Sequence, residues 1–111
     1  MKKVNKQNVG TLPDFGNFCI THPWGTTQNG CENAYDRYKG IEEMMPFAKA
    51  VSAKSYDFGN DGEQPMIDYK RLIGIVKASG FKGYIGIEFE GNTQSEEEGI
   101  RKTEALLKKY L

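Results

Sequence analysis

Phe81-Lys82-Gly83-Tyr84-Ile85-Gly86-Ile87-Glu88-Phe89-Glu90-Gly91 is the stretch whose pattern decides the fold. Ile85, Ile87 and Phe89 alternate with Tyr84, Gly86, Glu88 and Glu90, the period of two of a strand whose two faces meet different surroundings. One face is apolar and the other carries carboxylates. In a half-exposed strand such carboxylates simply face water. Here the segment follows a helix ending at Ala78-Ser79-Gly80 and precedes another beginning near Ser95, the alternation of a parallel sheet with covered faces. A carboxylate on a covered face needs a metal, a cation or a polar ligand. Glu88, near the carboxyl end of its strand, is therefore the first candidate for function.

Working outward, Ile67, Tyr69, Leu72, Ile73 and Val76 mark a helix from Asp68 to Ala78, with Gly80 as its C-terminal cap. Downstream, Ser95-Glu96-Glu97-Glu98 is a capping box that opens a helix whose Ile100, Thr103, Leu106, Leu107 and Leu111 face inward. Its glutamates serve the helix dipole and the solvent. Upstream of the turn Gly59-Asn60-Asp61-Gly62-Glu63, a second strand spans Ala50 to Phe58, with Val51, Ala53 and Ser55 on one face and Ser52, Lys54 and Tyr56 on the other. A lysine pointing to the interior needs a carboxylate or an anionic ligand, whereas one at a frayed strand end needs nothing. Tyr35, Tyr38, Ile41 and Met45 place a helix from Ala34 to Met45, closed by Pro46. Asn8 to Leu12 is expected to be a short strand that Pro13 terminates. Asp14 then lies just past its carboxyl end, where α/β proteins place reactive groups. The pattern is three consecutive βα units.

Between Cys19 and Asn33 no periodicity survives, and Pro23, Gly25 and Gly30 make a long loop holding His22 and Trp24. A lone loop histidine is usually solvated, but a lid over a sugar site could use both it and the indole. Cys19 and Cys31 lack metal or redox spacing and are expected to be unpaired thiols of a cytoplasmic protein, with a disulfide closing the loop as the alternative. The 111 residues suffice for one domain, 1–111, with a real core. Fifteen basic and fifteen acidic residues cancel, which argues against nucleic acid or an anionic membrane as partner. With no spanning apolar run and no secretory signal, the default is a soluble cytoplasmic protein.

Leu12-Pro13-Asp14-Phe15-Gly16-Asn17-Phe18, Val51-Ser52-Ala53-Lys54-Ser55-Tyr56-Asp57-Phe58 and Gly83 to Gly91 together resemble the sugar phosphate isomerase/epimerase family, whose fold is the xylose-isomerase-like TIM barrel. The resemblance implies an α/β fold that is part of a (β/α)8 barrel, a site at the carboxyl ends of the strands, and a divalent metal, Mn²⁺ or Mg²⁺. By position it makes Asp14 an acidic metal ligand after the sixth strand and Glu88 both ligand and catalytic base of the eighth. Asn17 falls where many relatives have a substrate-contacting histidine, and Ser52 where many have the histidine ligand of the seventh strand. A serine hydroxyl is a poor ligand beside imidazole. Lys54 and Asn17 would contact sugar oxygens or a phosphate, with His22 and Trp24 closing over them. Such barrels need about 250 residues, so the chain resembles their C-terminal portion, and the glutamate of the fifth strand is absent.

The function expected is isomerase or epimerase chemistry on a sugar or sugar phosphate by metal-assisted proton transfer beside a carbonyl. The alternatives are a non-catalytic fragment that self-associates through exposed sheet edges, and an endonuclease-like metal hydrolase of the same fold. A homo-oligomer formed through those exposed edges is expected, unless the chain is one piece of a larger enzyme.

Overall fold

The computed structural model describes residues 3–21 and 31–111, so His22 and Trp24 lie outside the described residues. In chain order the elements are α1 (Arg37–Met44), a 3₁₀ turn (Met45–Phe47), β1 (Val51–Ser55), α2 (Tyr69–Ala78), β2 (Ile85–Phe89) and α3 (Glu96–Tyr110). The class is α/β, with a two-stranded parallel sheet among the described residues. β1 and β2 pair in the register Val51↔Ile85, Ser52↔Gly86, Ala53↔Ile87, Lys54↔Glu88 and Ser55↔Phe89. Residues paired across a parallel ladder share a face. Lys54 and Glu88 are thus neighbours by construction.

The expected strand from Asn8 to Leu12 does not form, and Pro13 does not end it. Pairing is shifted toward the carboxyl end instead, with single parallel bridges Thr11↔Ala48 and Asp14↔Ser52. The Ser52 amide donates to the Pro13 carbonyl at 2.8 Å, and the Phe15 amide to the Ser52 carbonyl at 3.1 Å. Proline lacks a donor but keeps its acceptor, so Pro13 sits inside the paired stretch on the flank of β1 opposite β2. The outcome, among the described residues, is three parallel backbone tracks, of which two are regular strands.

Each helix starts where a side chain satisfies its orphan amides. Asp68 caps α2 through the Arg71 amide, and Ser95 caps α3 through the Glu98 amide. α1 begins at Arg37, three residues later than Ala34, because the Asp36 carboxylate accepts from the Tyr38 and Lys39 amides. Gly80, at φ 75°, follows the end of α2 in the left-handed conformation. Val51 and Ala53 of β1, Leu72, Ile73 and Val76 of α2, and Leu106 and Leu107 of α3 form the core, joined by Ile41, Met45, Phe15 and Tyr69. Burial of this kind of apolar surface supplies the main driving force for folding. Polar groups interrupt it in satisfied pairs: the Ser55 and Thr103 hydroxyls meet at 2.7 Å, Thr103 also donates to the Gly99 carbonyl, and the Gln64 side chain accepts from the Tyr56 amide and donates to its carbonyl.

Two loops at the carboxyl end of the sheet are lashed together. Asp57, after β1, accepts from the Asn92 amide at 2.8 Å and the Thr93 amide at 3.0 Å, both after β2. Gln94 returns the tie by accepting from the Phe58 amide at 2.9 Å and donating to its carbonyl at 3.3 Å. The Thr93 amide, and less strongly that of Asn92, hold the Asp57 carboxyl below its ordinary pKa.

The expectation of unpaired thiols is overturned. The Ile20 amide donates to the Asn33 carbonyl at 2.8 Å and the Tyr35 amide to the Phe18 carbonyl at 2.9 Å, an antiparallel contact around the Cys19↔Ala34 bridge. That pairing brings the Cys19 and Cys31 Cα atoms to 5.8 Å, and the two form a disulfide. Disulfides persist mainly in oxidising environments, so the cytoplasmic expectation loses the support of free thiols. Among the described residues no helix is long and apolar enough to cross a membrane.

Candidate functional site

The polar face of the sheet carries Ser52 and Lys54 from β1 and Glu88 from β2, with Glu90 just beyond. The Lys54 side chain is 4% exposed, while those of Glu88 and Glu90 are 55% and 47% exposed. Lys54 Nζ lies 2.6 Å from Glu88 Oε1 and 2.6 Å from Glu90 Oε2. Register puts Glu88 opposite the lysine, and the period of two puts Glu90 on the same face, so both carboxylates converge on one ammonium. Burial pushes that ammonium toward neutrality, but hydrogen bonds and charge from Glu88 and Glu90 more than offset it and hold the Lys54 pKa above its ordinary value. Lys54 is therefore a fixed cation, and no proton donor or base at neutral pH.

The surroundings hold it in place. The Tyr69 hydroxyl, at the start of α2, donates to the Lys54 carbonyl at 2.5 Å. Burial, with the negative charge of Asp14 as the second cause, raises the Tyr69 pKa. Gly16 runs against the lysine stem so closely that a Cβ there would fall 2.5 Å from Lys54 Cγ and 2.5 Å from the Tyr56 hydroxyl. Glu88 Oε1 is committed to the lysine. Its Oε2 faces the Ser52 hydroxyl, a long contact at 3.4 Å, and is otherwise open.

Asp14 is bridged to Ser52 on the backbone track beside β1, and its Oδ1 accepts from the Gly16 amide at 2.9 Å and the Asn17 amide at 3.0 Å. It thereby fixes the turn that brings Gly16 onto the lysine. Asn17 is exposed on that turn. Of the residues the sequence singles out, Lys54 and Glu88 are brought together, while Asp14 and Asn17 stand in the adjoining turn. The alternation in the sequence already puts Glu90 on the carboxylate face, but only the structure makes it a second partner of Lys54; Tyr69 and Gly16 give no signal in the sequence.

The described residues by themselves do not fit the divalent cation that the resemblance implies. Among the described residues no group of three or more His, Cys, Asp or Glu side chains could hold a metal. Asp14 spends an oxygen on backbone amides, Glu88 holds an ammonium, and Ser52 stands in place of an imidazole. Hard and borderline divalent ions need several such donors at once.

The sequence has a measurable likeness to a sugar-related enzyme subunit. Over 50 residues, 45% of this chain, it is 34% identical to a C-glycoside deglycosidase alpha subunit of Arthrobacter globiformis. The chain spans 14% of that relative's length. No known family profile matches it.

Proposed function

We propose that this chain forms the last three βα units of a (β/α)8 sugar enzyme in which Glu88 moves a proton beside a sugar carbonyl, as an isomerase or epimerase does. The observation that carries this is the state of Glu88. It stands at the carboxyl end of β2, with one carboxylate oxygen anchored by Lys54 at 2.6 Å and the other open beside Ser52. A general base needs that combination of fixed orientation and access. Lys54 acts here as a positioning residue. The partial likeness to a C-glycoside deglycosidase alpha subunit adds support for a sugar as substrate. Fold alone does not fix the reaction, so the test is chemical. In the full-length enzyme Glu88→Gln should abolish exchange of the sugar's carbon-bound proton with deuterated solvent while sugar binding persists. Undiminished exchange removes Glu88 from the reaction.

A second reading rests on the other edge of the sheet. Among the described residues β2 pairs only with β1, leaving its outer edge without a strand partner, and Tyr84 beside it is 90% exposed. An open edge accepts another strand, from the remainder of a barrel or from a second copy of this chain. Light scattering of the isolated chain separates the two. A defined dimer supports self-association; a monomer at high concentration counts against it.

A further inference from the structure

The mismatch between the implied metal and the residues present has a specific cause, a cation that is already there. Glu88 and Glu90 leave one strand two residues apart on the same face, and the point between their carboxylates is where an ion bridging them would sit. Lys54 Nζ occupies it, 2.6 Å from an oxygen of each. We propose that the Lys54 ammonium takes the place of a divalent cation here, making this face a metal-free subsite whose positive charge is tethered to the chain.

Three observations support the substitution. Lys54 is 4% exposed and its stem packs against Gly16, so the ammonium is held in the interior and makes no room there for an ion. Expelling it from the carboxylates without such an escape would strand a buried charge. The remaining polar groups are also poor recruits: Ser52 offers a hydroxyl, and Asp14 Oδ1 is engaged by two amides. Two carboxylates outweigh one ammonium, so the face stays net negative. The ligand class that suits it is an uncharged polyol whose hydroxyls donate to the exposed carboxylate oxygens, and a phosphate placed there would be repelled.

The sugar part of this rests on the proposed function, but the metal part does not, and the experiment needs neither substrate nor turnover. Mn²⁺ is titrated into the wild-type chain, Lys54→Arg and Lys54→Met, with free Mn²⁺ read from its electron paramagnetic resonance signal. Amide signals of residues 86–90 are followed in parallel. Wild type and Lys54→Arg should leave Mn²⁺ free through the millimolar range. Lys54→Met should gain binding tighter by on the order of 100-fold, the scale of releasing a buried ion pair, with broadening of the Glu88 and Glu90 amides. Wild-type binding with broadening at those amides overturns the proposal, and so does a folded Lys54→Met that leaves Mn²⁺ free. If Lys54→Met does not fold, the wild-type and Lys54→Arg titrations decide.

Discussion

The convergence of two half-exposed carboxylates on one buried ammonium makes their removal non-additive. Glu88→Gln alone leaves Lys54 its contact with Glu90, and Glu88 is 55% exposed, so the loss is that of a largely solvated pair, about 1 kcal/mol. Glu90→Gln, at 47% exposure, should cost about the same. The double variant is different, because an ammonium on a side chain that is 4% exposed then has no counter-charge. Breaking a buried pair in this way costs about 3–5 kcal/mol. The ceiling at pH 7 is about 4.6 kcal/mol, the free energy of deprotonating a lysine of ordinary pKa near 10.4, since beyond it the side chain sheds its proton. The two carboxylates should thus show a coupling of about 1–3 kcal/mol in a double-mutant cycle. The sign with pH follows. In the double variant the folded-state lysine pKa is depressed while the unfolded chain keeps the ordinary one. The unfolded state then binds more protons, and stability rises with pH. By pH 9 the ceiling falls to about 1.9 kcal/mol. Urea unfolding followed by circular dichroism at pH 7 and pH 9 measures all of this. Additivity within about 0.5 kcal/mol, or a double-variant penalty that does not shrink at pH 9, would refute the account of a buried, charge-compensated lysine.

Gly16→Ala places a methyl 2.5 Å from both Lys54 Cγ and the Tyr56 hydroxyl, and should destabilise by about 1–3 kcal/mol; a change below about 0.5 kcal/mol in urea unfolding contradicts that close approach. The native protein, handled without reductant, should show no free thiols to a thiol reagent, and Cys19→Ser with Cys31→Ser should cost about 3 kcal/mol for a loop of this length. Two titratable thiols in the folded state would rule the disulfide out. On acidification, Asp57, held low chiefly by the Thr93 amide, and Glu63, held low by Lys109 and then Tyr110, each contribute stability that is present above the ordinary carboxylate range. That stability is lost as the pH falls through about 4 and below. Thermal melts from pH 6 to pH 3 should show the decline, and Asp57→Asn should flatten it; an unchanged slope removes Asp57 from the acid response.

What could be read from the sequence follows the range of the interaction responsible. The α3 start is legible because Ser95 caps an amide three residues away, and the α2 start is legible from apolar spacing alone, with Asp68 capping the Arg71 amide in the structure. The tyrosine spacing reaches back to Ala34, three residues before the start that the Asp36 carboxylate fixes by accepting from the Tyr38 and Lys39 amides. Pro13 departs from the expected strand end for a non-local reason: its carbonyl accepts from the amide of Ser52, a residue distant in the chain that no neighbour of Pro13 announces. The disulfide depends likewise on the Ile20–Asn33 backbone pairing, which the spacing of the cysteines does not encode. Lys54 and Glu88 each stand out in the sequence as charges on a strand face. That each is the answer to the other needed the β1–β2 register, a property of two segments together.

Asp57 and Gln94 bind the loop after β1 to the loop after β2 through four hydrogen bonds that use backbone groups of residues 58, 92 and 93. For anyone recombining such units, the smallest exchangeable cassette is then the pair of loops, since either one transplanted alone would arrive with half of its fastenings missing. The same rule applies to inheritance. A length change in one loop would be tolerated only in lineages where its partner had already drifted to match, so the rim of this sheet should evolve in correlated steps while the exposed face of α3 varies residue by residue.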